Sequence, residues 1–291
     1  MTSGQRIGLH VSAAGGLENA PLRAKEDFDA ECFQFFSRSP RGGGTPPISE
    51  ETARMFRENA EKFGFESYIH TPYYINFASK NKRVFYGSAA AVRQELERGS
   101  TLGVKYVVTH MGSAKEWVED PKATATPAKA LEQAIKGLKA IYEDSSKFSA
   151  RLLLEISAGA GSVVGDTFEE LGHLLSGLGR SDVHVCLDTA HLFASGYDVR
   201  TKKAWDETLQ SLDKHVGLDN LKLIHVNDSK IDLGGRVDRH EHIGKGYIGK
   251  DGFKAMLAHK DLKKVNFILE TKHDALIYED IAFLKKNRKK S

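Results

Sequence analysis

VHVCLDTAHLFASGYD, residues 183–198, opens on an apolar run, closes that run with Asp188, sets His191 three residues on, and then turns at Gly196. The apolar part has no sustained polar alternation, which suits a strand buried on both faces, as in a parallel sheet. The polar part is harder to place. An aspartate and a histidine where a buried strand gives way to a loop mean little singly, because one is easily a helix cap and the other a hydrogen-bonded core residue. The reading depends on whether other strands end the same way.

They do. RIGLHVS, CFQFF, SYIH, YVVTH, LLLEIS, LKLIHVN and NFILET repeat the short, β-branched apolar pattern along the chain. Between them lie amphipathic stretches such as ISEETARMFRENAEKF, AAAVRQELERGSTLG, PAKALEQAIKGLKAIYED and TFEELGHLLSGL, the last opening with Thr167 and Glu170 in capping-box spacing. Eight strands alternating with helices predict a single-domain α/β protein, a (β/α)8 TIM barrel over residues 1–284, with a basic tail at 285–291. The 291 residues fit one such domain, and no Pro/Gly/Ser-rich linker divides them. The tail, KKNRKK at 285–290, reads as a solvated helix end.

Composition narrows the class. With 40% hydrophobic and 28% charged residues the chain is an ordinary globular sequence, with neither an apolar membrane span nor a basic-then-apolar leader. A cytoplasmic, monomeric protein, nucleoid-associated if the cell is prokaryotic, is the expectation. The net charge of +3 neither demands nor excludes nucleic acid, since a basic groove can coexist with acidic patches. Cys32 and Cys186, the only cysteines, sit inside apolar runs and read as small buried hydrophobes.

The strand ends carry the chemistry. His10 lies late in the first run, His70 ends the third, His110 the fourth, Glu155 the fifth, Asp188 the sixth, His225 the seventh and Glu270 the eighth. In a parallel barrel these ends converge on one face. His191 follows Asp188, and Asp238 and His240 stand two apart in the loop GGRVDRHEHIGKGYIG, residues 234–249. Several carboxylates crowded together repel one another and are costly to desolvate, and divalent cations are the simplest compensation. Imidazole and carboxylate without thiolate suit Zn²⁺ best, with Mn²⁺ or Fe²⁺ as substitutes. The donors are too many for one tetrahedral ion, so two or three metals are expected.

LDTAHLFASGYD and HVNDSKIDLGGRVDRHEHIGKGYIG, with IGLHVSAAGGLENA near the start and ILET at 268–271, closely resemble the endonuclease IV family of apurinic/apyrimidinic-site endonucleases. The resemblance implies a barrel holding three zinc ions and a DNA-repair activity: hydrolysis 5′ to an abasic site in double-stranded DNA by metal-activated water, leaving a 3′-hydroxyl and a 5′-deoxyribose phosphate. Family members vary in 3′-end trimming. Carried over by position, His70, His110 and Glu155 would hold one zinc. Glu155, Asp188, His225 and Glu270 would hold a second, with Glu155 bridging and orienting the water, and His191, Asp238 and His240 a third. Arg41 in SRSPRGGG, and Tyr73 and Tyr74 in HTPYYIN, match positions that penetrate the DNA base stack. The chain departs from the family at Ala160, where a glutamine is common; at Ala190, where cysteine is frequent; at Tyr74, where some members have leucine; and after Arg41, where some carry tryptophan.

Two other readings use some of the same residues: a sugar-isomerase-like barrel with one or two ions, and a catalytically silent DNA-damage binder. The first does not need His70, His110 and the Asp238–His240 pair together, nor Arg41 and two tyrosines on mouth loops. His173, His184, His215, His242, His259 and His273 read as ordinary helix, core or loop histidines, with His242 close enough to His240 to support it.

Overall fold

The structure, a computed structural model, describes residues 5–120, 123, 125–143 and 147–288. Eight parallel strands close into a barrel: β1 Ile7–His10, β2 Cys32–Phe35, β3 Glu66–His70, β4 Tyr106–Thr109, β5 Arg151–Glu155, β6 Val183–Asp188, β7 Leu221–His225 and β8 Asn266–Leu269. Each strand pairs with its sequence neighbours, and β8 closes on β1 through Ile7–Phe267 and Leu9–Leu269. The runs are apolar on both sides because both sides are covered. Phe33, Phe35 and Phe56 pack outward under the helices, while Cys32, Tyr68, Tyr106, Leu153, Cys186, Leu223 and Ile268 fill the interior. Both cysteines are free and buried, as expected, and burial pushes the Cys186 thiol up to about 12. Gly8 is required by packing, since a Cβ there would overlap the Cys32 carbonyl of β2.

Nine α-helices are present among the described residues: α1 Asn19–Glu26, α2 Glu50–Lys62, α3 Lys82–Leu102, α4 Ala128–Ala140, α5 Phe168–Leu178, α6 Thr189–Ser195, α7 Lys202–His215, α8 Gly249–Ala258 and α9 Ala275–Asn287. None is long and apolar enough to cross a membrane. Local chemistry sets their limits. Ser49 caps α2, Asn81 caps α3, and Gly103 and Gly179 end α3 and α5 in the left-handed region that glycine favours. Thr167 caps α5 as its spacing predicts, its Oγ1 accepting from Glu170 N at 3.2 Å. The reciprocal half of the capping box is absent: the Glu170 side chain accepts from Gly165 N instead.

Two expectations need correcting. The segment after Asp188 is a helix, not a loop, because Asp188 itself caps it, accepting from His191 N at 2.9 Å. The boundary at 285 falls inside α9. Lys285 bonds Asp29 at 2.9 Å, and Arg288 pairs with Glu31 and donates to Gln5 O at 2.9 Å, so residues 285–288 pack as part of the barrel. Residues 289–291 lie outside the described residues.

Candidate metal centre

His10, His70, His110, Glu155 and Glu270 line one cavity of about 1170 Å³ at the carboxyl end of the barrel, together with His191, Asp238 and His240, while Asp188 and His225 lie fully buried beside it. Small-molecule pockets run to roughly 1,000 Å³, so this one is large even for a compact ligand. At its floor lies Glu155, fully buried at the end of β5. Its Oε2 is 3.1 Å from His70 Nε2 and 3.5 Å from His110 Nε2. Its Oε1 is 3.0 Å from His225 Nδ1 and 3.4 Å from His191 Nδ1. Residues 85 apart in sequence meet here because parallel strands bring their carboxyl ends to one rim.

Three overlapping donor groups emerge. One is His70, His110 and Glu155; another Glu155, Asp188, His225 and Glu270; the third Asp188, His191 and His240, each with its donor atoms within 4.8 Å of one another. Asp238 stands beside the third group, its Oδ1 3.4 Å from His191 Nε2 and 3.2 Å from His240 Nε2. Asp188 thus reaches two groups. Its Oδ2 lies 3.6 Å from His240 Nε2, while its Oδ1 caps α6.

The histidines are oriented from behind. The His70 Nδ1–H donates to Thr71 O at 2.7 Å, and the His191 Nδ1–H to Ile156 O at 2.9 Å. The His225 Nε2–H donates to the Gln34 side-chain oxygen at 2.8 Å. A carbonyl oxygen only accepts, so it fixes which ring nitrogen carries hydrogen and leaves the other lone pair facing the cavity. Asn227 braces the carboxylate of Asp188 and the backbone of Glu270. Its Nδ2 donates to Asp188 Oδ2 at 2.7 Å, and its Oδ1 accepts from Glu270 N at 2.9 Å.

The electrostatics are those of carboxylates held ionised by imidazoles. Burial would raise Glu155, but His110, His225 and His191 hold it well below the usual carboxylate range. Glu270 and Asp238 are likewise lowered against burial, the first by His225, the second by His191 and His240. Burial would lower His191 and His225. Asp188, Asp238 and Glu155 instead raise the first well above its ordinary value, while Cys186, Glu270 and Glu155 raise the second. His110 and His10 go the other way: burial lowers both, His10 to about 3, so His10 stays neutral. Taking a carboxylate out of water costs several kcal/mol, and His191 and His225 offset it only by holding protons that a bound divalent cation would displace. Buried oxygen and nitrogen donors with lone pairs converging at these spacings fit a divalent cation of the zinc type.

The rim carries the other predicted residues. Tyr73 is 70% and Tyr74 44% exposed, and Arg41 is exposed near enough to Tyr73 to act on its hydroxyl electrostatically. The two loops are joined. Tyr73 N donates to Pro40 O at 3.1 Å, and the Tyr73 ring meets Phe36 edge-on with centroids 5.3 Å apart. The long loop is pinned by residues the sequence reading passed over. Buried Asp228 accepts from Gly244 N at 2.8 Å, Ile248 N at 2.9 Å and Gly249 N at 3.2 Å. Arg236, just before Asp238, pairs with Asp166 at 2.5 Å. His242 turns away from the cluster to Asp280 at 2.7 Å, while His173, His184, His215 and His259 contact Glu132, Asn220, Glu169 and Asp206 elsewhere. His273 packs edge-on against Phe28 at the cavity wall.

Known proteins share both this sequence pattern and this fold. Residues 22–287 match the family described as xylose isomerase-like TIM barrel. The chain is 38% identical over 275 residues to a probable endonuclease 4 of Methanosphaerula palustris, covering 93% of each. It superposes on endonuclease IV of Thermus thermophilus with a TM-score of 0.79 at 33% identity, covering 97% of this chain and 96% of that one. A D-tagatose 3-epimerase-like protein superposes with a TM-score of 0.71 at 19% identity, covering 96% of this chain and 94% of that one, a likeness of fold alone.

Proposed function

The chain belongs to the endonuclease IV family, within the xylose isomerase-like TIM barrels, and on that premise we propose that it is a zinc-dependent DNA-repair endonuclease hydrolysing the phosphodiester 5′ to abasic sites in double-stranded DNA. The observation that carries this reading is the set of three overlapping donor groups sharing Glu155 and Asp188 at the mouth of the barrel.

His70, His110 and Glu155 would hold one zinc; Glu155, Asp188, His225 and Glu270 a second; His191, Asp238 and His240 the third, with Asp188 near enough to His240 to assist. Zinc at such a site lowers the pKa of water to about 7 and offsets negative charge on the entering and leaving oxygens of a phosphodiester. Glu155 reaches toward four histidines from the floor of the cavity, so it is the residue to orient the attacking water and take its proton. Asp188, its carboxylate held by Asn227, and Glu270, its carboxylate held by Gln34, keep two further carboxylates aimed at the same point.

Arg41, Tyr73 and Tyr74 would enter the duplex at the lesion. An abasic site lacks the stacking that resists insertion, whereas unstacking an intact step costs a few kcal/mol. The exposure of both tyrosines and the bond joining the two loops support one coupled wedge. The proposed product ends are a 3′-hydroxyl and a 5′-deoxyribose phosphate, with trimming of blocked 3′ ends a further use of the same site. A monomer acting in the cytoplasm, or at the nucleoid of a prokaryote, completes the proposal.

The test is incision of a duplex carrying one synthetic abasic site by metal-analysed protein in EDTA without magnesium. Cleavage 5′ to the lesion with about three zinc atoms per chain is the expected result, since a buried multi-metal site survives brief chelation. No incision despite full zinc would make the protein a silent lesion binder. One or two exchangeable metals and no incision would favour sugar-isomerase-like chemistry.

A further inference from the structure

Resting on the metal reading above, we infer that Gln34 is a positioning residue: its carboxamide dictates that His225 offers Nδ1 to the centre and holds Glu270 in its facing rotamer. The glutamine lies in β2, fully buried, and every polar atom of its side chain is engaged. Its Oε1 accepts from His225 Nε2–H at 2.8 Å, and its Nε2 donates to Glu270 Oε1 at 2.6 Å and to His10 Nδ1 at 3.1 Å.

The direction of the amide is not free. Turning it over would set its oxygen 2.6 Å from an ionised carboxylate, two acceptors with no hydrogen between them. With the amide so held, His225 must carry a hydrogen on Nε2, so Nδ1 is the nitrogen turned to Glu155 and Glu270, at 3.0 and 3.1 Å, and the one a cation would take. His70 and His191 receive the same service from the backbone carbonyls of Thr71 and Ile156, which no substitution removes. His225 alone of these three depends on a side chain. A single substitution can therefore release one histidine of the centre and leave the others bound in place.

The experiment compares wild type, Gln34→Met and Gln34→Glu as zinc-loaded full-length protein. It reads zinc affinity by chelator competition and the bonded ring nitrogen of His225 by long-range ¹H–¹⁵N correlation. Wild type should show Nδ1 bound and Nε2 protonated. Methionine, close in volume and without polar groups, should weaken zinc by roughly 10–100-fold, the usual cost of losing a partner behind a ligand. It should also mix the nitrogen assignment of His225 while the ¹⁵N signals of His70 and His191 stay as in wild type. Glutamate keeps an oxygen opposite His225 but sets another against Glu270, so the Nδ1 assignment should survive while affinity falls. A loss of packing alone would not separate the two variants in this way.

Wild-type affinity and an unmixed Nδ1 assignment in Gln34→Met overturn the inference. Should that variant not fold, judged by circular dichroism, Gln34→Glu decides it: wild-type affinity there overturns the inference equally. A wild-type chain that takes up no zinc removes the metal reading itself, an outcome distinct from failure of the Gln34 assignment alone.

Discussion

The two ends of the barrel bury polar groups on the same strands and resolve them in opposite ways. At the amino end, Glu66 of β3 is met by Lys105 at 3.1 Å, Tyr68 Oη at 2.6 Å and Asn266 Nδ2 at 3.0 Å. Asn266 also donates to Tyr68 Oη at 2.8 Å and accepts from Arg6 N at 3.1 Å. One carboxylate has its own cation and its own donors, so this end is closed electrostatically. At the carboxyl end, Glu155, Asp188 and Glu270 converge with no lysine or arginine bonded to any of them among the contacts of the described residues, and imidazoles alone surround Glu155. The chain supplies a fixed positive charge at one end; at the other it offers imidazoles alone, whose protons a divalent cation would replace. The difference separates a network that stabilises from one that waits for a ligand.

Substitutions break that contrast in a definite order. Glu155→Gln keeps shape and removes the charge shared by two donor groups. Since such a metal centre contributes several kcal/mol to a transition state and about 1.4 kcal/mol is tenfold in rate, incision should fall by roughly 10³-fold or more, with zinc content falling beside it. Abasic-site cleavage and metal analysis on the same preparation check both. Asn227→Leu leaves every donor in place but frees Asp188 Oδ2 and uncaps Glu270 N, so zinc affinity should drop about 10–100-fold in chelator competition.

The rim should matter less than the floor. Arg41→Ala removes a side chain proposed to insert and no proposed metal donor, so binding to an uncleavable abasic-site duplex should weaken by about tenfold, roughly 1.4 kcal/mol, by fluorescence anisotropy. Unchanged binding would exclude Arg41 from the wedge. The smallest effect belongs to the other end. Tyr68→Phe deprives Glu66 and Asn266 of a partner and should cost about 1–2 kcal/mol, a few degrees in Tm by calorimetry, with incision at the wild-type rate. Lost incision in that variant would mean the two ends are coupled through the barrel interior.

What was legible in the sequence follows one rule. His70, Glu155, Asp188 and His225 stand out because each breaks an apolar run at its last residue, and parallel strands align their last residues whatever the loops between them. His110 and Glu270 follow their strands by one residue and were visible for the same reason. Gln34 and Asn227 were not visible. A glutamine within CFQFF looks like an isolated polar interruption, and its partners lie 191 and 236 residues away. Asp228 and Arg236 stand inside the same motif as the metal-ligand candidates, and nothing local marks their distant partners. The helix after Asp188 was missed because the aspartate was read as a strand-end residue, when its two oxygens serve a cap and the cluster at once. The basic run at the C-terminus misled for another reason: local charge signals solvation, but Asp29 and Glu31, far back in the chain, receive Lys285 and Arg288.

The sequence by itself determined the kind of donors and the face on which they gather, because strand periodicity and barrel closure are local rules repeated eight times. Only the tertiary structure decided which nitrogen each histidine offers and which carboxylates are shared. His70 takes its acceptor from the next residue, Thr71, but His191 and His225 take theirs from Ile156, just past β5, and Gln34 of β2, which meet the ligands only when the barrel closes.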